Sequence, residues 1–159
     1  MKFSLAAVAG FVSAISAAGL PGAFTLVADG GKTVLTDGQN LWIGTNTSTQ
    51  EIAVLRGTGQ NSPITFTAKD QTPTGWQNLY IIEDSVSPVG LTIPHSGATP
   101  KGANTTGFGV NEKGYLTQGG RDWFAIDGYG SEKEVKEIFW YGAHNAEYAA
   151  VNLWVKEYK

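Results

Sequence analysis

The feature that most constrains the fold is a series of short apolar runs separated by turns rich in glycine, asparagine and aspartate. The chain has 21 glycines in 159 residues, and no stretch after residue 18 has the pattern of a major amphipathic helix. Residues 24–28 precede Asp29-Gly30-Gly31, and residues 33–36 precede Asp37-Gly38, which is typical of strands joined by tight turns. We therefore expect an all-β fold, a single-domain antiparallel β-sandwich or barrel.

Further short runs predict the remaining strands. Pro88, Pro94 and Pro100 lie in residues 84–109 with several glycines, so this segment is expected to be the most loop-like. Residues 131–134 have the spacing of a capping box, which predicts one or two helical turns unless the segment extends the next strand. The other predicted strands are 41–43, 51–55, 64–68, 79–83, 91–93, 115–118, 123–126, 138–141 and 150–155.

A short pattern recurs along the chain. Residues 39–43 (Gln-Asn-Leu-Trp-Ile) resemble residues 77–81, and residues 152–155 repeat the pattern, with Leu116 at the intervening position. Corresponding leucines are thus about 37 residues apart, and a regular period can mark a repeat architecture. This leaves a β-trefoil as the alternative fold.

The N-terminus has the layout of a secretory signal peptide. Residues 1–18 combine a charged start, an apolar run over 3–15 and small residues at positions 16 and 18. We expect cleavage after Ala18 and secretion of residues 19–159 as one mostly-β domain. The apolar run is too short for a membrane span, and the C-terminus is too polar for a lipid-anchor signal, so no membrane anchor is expected.

Charge and cysteine content narrow the range of functions. Cleavage removes one lysine and no carboxylate, which leaves 10 basic and 14 acidic side chains and a formal charge of −4. An acidic domain is a poor partner for nucleic acid. The chain has no cysteine, so thiol nucleophiles, thiolate metal sites and disulfides are excluded, and stability depends on packing and hydrogen bonds.

Two triplets match the N-glycosylation pattern. They begin at Asn46 and Asn104, in stretches rich in threonine, glycine and asparagine where an accessible acceptor is expected. The sequence thus predicts a glycoprotein modified at one or both sites, with unmodified triplets as the alternative.

Catalytic patterns are weak. His95 and His144 are the only histidines, and no nucleophile-elbow pattern accompanies them, so we expect ordinary surface histidines and no catalytic triad. Neither the pair His144 and Glu147 nor the pair Asp122 and Asp127 completes a metal site. The sequence therefore predicts no enzyme activity, no metal and no cofactor.

A small hydrolase remains the third functional class to consider. Its mechanism would need two carboxylates flanking a glycosidic bond, and the first four to test are Glu83, Asp84, Asp122 and Asp127. Sequence alone does not give the separation of these groups.

Tryptophan-bearing strands carry the sharpest binding hypothesis. Side chains alternate between the two faces of a strand, and the aliphatic neighbours of Trp42 and Trp154 claim the core, which directs both indoles outward. Trp140 lies opposite Phe139 and Tyr141. If strands 138–141 and 150–155 pair, Trp140 and Trp154 form an apolar platform for sugar rings or a protein partner. The alternative is a fold that buries every tryptophan.

Several stretches resemble the secreted fungal cell-wall proteins of the phialide (PhiA-like) type, a family also known among fungal allergens. The similarity is carried by residues 24–28, by Leu-Trp-Ile-Gly at 41–44, by Leu-Tyr-Ile at 79–81, by 107–116 and by Asn-Leu-Trp-Val at 152–155. The resemblance implies an extracellular, wall-associated and non-enzymatic role, and it assigns no site residues.

These observations together favour a secreted cell-wall or matrix protein with a structural or adhesive role and no catalytic activity. Its expected partners are cell-wall polysaccharide or an extracellular protein. The first alternative is a carbohydrate-binding, lectin-like module, and the second is a secreted host-directed effector with a protein partner.

Overall fold

A computed structural model describes residues 19–44, 48–127, 135–143 and 148–159, which form sixteen strands and no helix. The expected signal peptide, Asn46 and Thr47 of the first glycosylation triplet, the helical turns predicted at 131–134, His144 and Glu147 lie outside the described residues. The strands are β1 (Phe24–Ala28), β2 (Lys32–Thr36), β3 (Leu41–Ile43), β4 (Glu51–Ile52), β5 (Leu55–Arg56), β6 (Thr65–Phe66), β7 (Gln77–Ile82), β8 (Val86–Pro88), β9 (Gly90–Leu91), β10 (Ala103–Asn104), β11 (Phe108–Val110), β12 (Leu116–Gln118), β13 (Phe124–Ile126), β14 (Lys136–Tyr141), β15 (Ala149–Ala150) and β16 (Leu153–Glu157).

The strand pairing repeats three times along the chain. In unit 1 (β1–β5), β2 pairs with both β3 and β4. In unit 2 (β6–β11), β7 pairs with β9 and β10, and in unit 3 (β12–β16), β13 pairs with β14 and β15. Each unit therefore begins with one strand, continues with an outer hairpin and a short strand paired with that hairpin, and ends with a last strand. We call the first strand of a unit its entering strand and the last its leaving strand.

The entering and leaving strands close into a six-segment antiparallel barrel. β1 pairs with β16 and β5, and β5 pairs with β6. Ser62, just before β6, bridges Phe108 of β11, which pairs with β12. Tyr115, just before β12, bridges Trp154 of β16 and completes the ring. Closure leaves the barrel without an unpaired edge.

The three outer hairpins meet one another beside the barrel. β14 pairs with β3 and with β8, so the hairpin of unit 3 contacts the other two. Asn40, before β3, bridges Gly90 of β9 and joins units 1 and 2. A six-strand barrel with three mutually contacting hairpins has the connectivity of a β-trefoil. The all-β prediction is confirmed, and the barrel is of the type given as the alternative.

The recurring sequence pattern does not correspond to the structural repeat. Leu41, Leu79, Leu116 and Leu153 are all buried, but they lie at different places in their units: the second hairpin strand, the first hairpin strand, the entering strand and the leaving strand, respectively. The pattern recurs because strands with one buried face commonly have a buried leucine beside a more exposed residue. The threefold topology is therefore real, although the motif that suggested it joins strands that are not equivalent.

The core fills the barrel and the underside of the hairpins. Its largest fully buried side chains include Phe24, Phe66, Phe108 and Phe124. The side chain of Gln77 is buried, and its amide nitrogen Nε2 donates hydrogen bonds to the carbonyls of Gly38 at 2.6 Å and Thr92 at 2.8 Å. Because Gly38 belongs to unit 1, this side chain ties two units together.

Most predicted strands are observed, with two kinds of difference. The predicted runs 51–55 and 150–155 each divide into two strands, since each covers both the short hairpin-bound strand and the barrel strand that follows it. Strands β8, β10 and β11 lie in the segment predicted to be loop-like. The described residues contain no helix that is long and apolar enough to span a bilayer.

Candidate functional site

An aromatic cleft lies on the outer side of unit 3, between the start of β13, the end of β14 and β15. Its volume is about 430 Å³, which falls within the roughly 300–1,000 Å³ typical of small-molecule sites. Among the described residues it is lined by Asp122, Trp123, Phe124, Ala125, Tyr141, Gly142, Ala143, Tyr148, Ala150 and Asn152.

Trp123 is the exposed aromatic group of the cleft. The residue is 44% exposed, and its backbone carbonyl accepts a hydrogen bond from the Tyr141 N–H at 2.8 Å, which continues the pairing of β13 with β14 by one residue. Trp140 lies against it, with ring centroids 6.1 Å apart, and Phe124 packs edge-on against Trp140 at 5.2 Å. The Arg121 guanidinium stacks on the Trp123 ring at 4.6 Å. Trp123 is thus held in place while much of its surface remains accessible.

Two tyrosines, Tyr141 and Tyr148, also line the cleft. The Tyr148 ring lies 4.7 Å from that of Phe139 and 6.4 Å from that of Tyr141. Phe139, Tyr141 and Tyr148 are all partly exposed. The cleft therefore has aromatic surface in addition to Trp123.

Two polar side chains of the cleft, Asp122 and Asn152, present hydrogen-bond acceptors. Asn152 is fixed by Asp29, whose carboxylate accepts the Asn152 backbone N–H at 2.9 Å and its Nδ2 at 3.4 Å. Because the amide nitrogen faces Asp29, Oδ1 is left to accept another bond. No hydrogen bond or ion pair connects the Asp122 carboxylate to any other described residue. Asp122 and Asn152 therefore offer oxygen acceptors beside the aromatic rings.

The predicted platform of Trp140 and Trp154 is wrong. Trp140 is only 3% exposed, and its ring packs against that of Trp123. Strand β14 pairs with β13, β3 and β8, whereas β16 pairs with β1, so the pairing that the platform required does not form.

The other two predicted tryptophans differ from each other. Trp154 is 43% exposed and holds Tyr115 edge-on, with centroids 4.6 Å apart and planes at 88°. Trp42 is partly buried, and its Nε1 is buried without a hydrogen-bond partner among the described residues. Of the three tryptophans predicted to face outward, only Trp154 is exposed.

Sequence reasoning missed Trp123. Its position at the start of the predicted strand 123–126 suggested a strand residue, whereas β13 begins one residue later. The signal that could have identified it is the run Gly119-Gly120-Arg121-Asp122, which places Trp123 at the end of a turn. Trp76, which precedes β7, is also exposed, at 52%, but does not line the cleft.

The remaining candidates lie elsewhere. His95 has a positive φ of 62°, and the Glu83 carboxylate accepts a bond from Asn104 Nδ2 at 2.7 Å. Among the described residues there is no group of three or more histidine and acidic side chains that could hold a metal ion. Burial raises the pKa of Glu137 above its ordinary value of 4.5, and the charge of Asp37 raises it further.

Comparison with known protein families, with curated proteins and with solved structures gives no match for this chain.

Proposed function

We propose that this protein is an extracellular carbohydrate-binding protein that attaches to cell-wall or matrix polysaccharide without turning it over. The observation that carries the proposal is the aromatic cleft, in which exposed Trp123 lies next to Asp122, whose carboxylate bonds no other residue in the described part of the chain. The secretory layout of residues 1–18 and the resemblance to fungal wall proteins of the phialide type support the same compartment.

The chemistry of the cleft suits a sugar ring. One face of a pyranose presents C–H groups and packs on an aromatic ring, while its edge carries hydroxyl donors. Trp123 supplies the ring, and the oxygens of Asp122 and Asn152 supply acceptors for neighbouring hydroxyls. Hydrogen bonds to a charged group contribute about 1.5–3 kcal/mol each, which is enough to orient the sugar.

A site of this kind suits a protein that adheres to a polymer better than one that binds a free sugar in solution. A shallow site that holds one or a few sugars gains strength when the ligand is an insoluble polymer, because many equivalent sites lie within reach. The wall or matrix would then retain the protein by repeated weak contacts.

The test is retention on polysaccharide. The secreted protein is incubated with washed fungal cell walls, insoluble glucan and chitin, and the bound fraction is measured for wild type, Trp123→Ala and Trp76→Ala. Trp76 is the matched control because it is exposed but lies outside the cleft. We expect Trp123→Ala to weaken binding by about 30-fold, corresponding to roughly 2 kcal/mol for a central tryptophan, and Trp76→Ala to bind like wild type.

Circular dichroism and thermal melting of both variants establish that they are folded. Equal retention of the two variants would contradict the assignment of the site. Absence of wild-type retention on every polysaccharide would contradict the function, and capture of an extracellular protein in its place would favour the host-directed effector.

A further inference from the structure

A second exposed aromatic group lies close to the cleft along β16. This outer aromatic pair consists of Trp154 and Tyr115, which meet edge-on where the barrel closes between β12 and β16. The edge contact leaves the indole 43% exposed. Trp154 does not line the cleft itself.

Asn152 connects the cleft to this pair. Val151 and Leu153 are buried at 4% and 1% exposure, whereas Asn152, which directly precedes β16, is partly exposed and Trp154 is exposed. Two residues of extended chain span about 7 Å. Asn152, which lines the cleft and is held by Asp29, is therefore only two residues from Trp154 along the chain.

We infer that Trp154 and Tyr115 form a second sugar subsite, and that the ligand is an extended polysaccharide chain which crosses Asn152 from one subsite to the other. The inference rests on the proposed function and specifies its ligand as a polymer rather than a single terminal sugar. A chain with one sugar on Trp123 would present a later sugar to Trp154, with Asn152 accepting a hydroxyl between them.

The charges along this path favour an uncharged polymer. The carboxylates of Asp122, at the cleft, and Asp29, beside Asn152, outnumber the Arg121 guanidinium that stacks on the Trp123 ring. A polyuronate would bring carboxylates close to these groups, whereas the hydroxyls of a neutral chain donate to them. We therefore expect neutral glucans or chitin-type chains to bind and polyuronates not to bind.

Chain-length dependence tests the second subsite. Affinities are measured by calorimetry for the disaccharide, tetrasaccharide and hexasaccharide of β-glucan and of chitin, with wild type, Trp154→Ala, Trp154→Tyr and Trp123→Ala. For wild type we expect affinity to rise by about tenfold from disaccharide to hexasaccharide. Trp154→Ala should remove that rise without changing disaccharide affinity, and Trp154→Tyr, which keeps a ring, should retain part of it.

The outcomes separate this inference from the function on which it rests. Loss of binding at every length in Trp123→Ala, together with a flat length dependence in Trp154→Ala, supports both. Saccharide binding whose wild-type affinity does not depend on length, or whose rise survives in Trp154→Ala, overturns the second subsite alone. Absence of binding to all six oligosaccharides overturns the proposed function, and the subsite with it.

Discussion

The junction between the hairpins of units 1 and 2 requires a glycine. Gly90 is buried, pairs with Tyr80 across β7 and β9, and bridges Asn40 of unit 1. A methyl group on Gly90 would lie 2.7 Å from Tyr80 Cε2 and closer still to the end of that ring. Real Cβ contacts are essentially never this short, so the tyrosine ring or the strand has to move.

The cost of Gly90→Ala follows from this overlap. Inserting a methyl group into packed structure costs about 1–3 kcal/mol. The φ of Gly90 is not positive, so the backbone adds no conformational strain. For a domain of this size each kcal/mol lowers the melting temperature by about 3 °C, and we therefore expect a decrease of about 3–9 °C.

The matched control is Gly97→Ala. Gly97 also lacks a positive φ, and a methyl group there would meet nothing within 4 Å. Its free energy of unfolding should change by less than about 0.5 kcal/mol. Both variants and wild type are compared by urea denaturation and calorimetry. The double variant Tyr80→Ala with Gly90→Ala should be no less stable than Tyr80→Ala alone, because the overlapping ring is absent.

Equal stability of Gly90→Ala and Gly97→Ala would refute the reasoning. So would a full destabilisation by Gly90→Ala in the Tyr80→Ala background, since the cost would then not come from the ring.

Two further predictions concern a partly buried carboxyl group, that of Glu137, and a modification site, Asn104. Burial and the charge of Asp37 raise the Glu137 pKa above 4.5, so the native state binds this proton more tightly than the unfolded state does. The contribution of protonated Glu137 to the free energy of unfolding is therefore complete below pH 4.5 and is lost as the pH rises through the native pKa. Glu137→Gln should therefore match wild type in acid and exceed it at neutral pH in urea denaturation; a constant difference would contradict this. Asn104 should carry a glycan in a eukaryotic host, because one N–H of its Nδ2 can bond Glu83 while the other is replaced by the bond to the sugar. A mass increase that N-glycosidase removes, and that the Asn104→Gln variant lacks, would confirm this prediction. A mass that N-glycosidase leaves unchanged would contradict it.

The sequence predicted the strands better than it predicted their faces. In β16 and β3 the aliphatic residues Leu153, Leu41 and Ile43 identify the core side, and the structure buries all three. In β14 the alternation is correct, but both faces carry aromatic residues, so composition did not show which face was the core. Trp140 was consequently placed on the wrong side.

The barrel and the hairpin contacts depended on pairings that no local pattern encodes. Ser62 with Phe108 and Asn40 with Gly90 join residues about 50 positions apart. Strands β8 and β10 were missed for the same reason, since each is short and pairs with a strand that is not its neighbour in the sequence. Strand β11 was missed although its partner, β12, is the next strand along the chain. Propensity gives little information about such segments.

The cleft appears in one unit because the residues before the second strand differ among the units. In unit 1 this position holds Gly30 and Gly31, which form a turn with positive φ and offer no ring. In unit 2 it holds Trp76, which is exposed but does not line the cleft. In unit 3 Trp123 packs against Trp140 and lines the cleft together with Tyr148. The threefold topology constrains the buried leucines and phenylalanines, whereas the loops are free to diverge, so a threefold fold carries an aromatic cleft in its third unit.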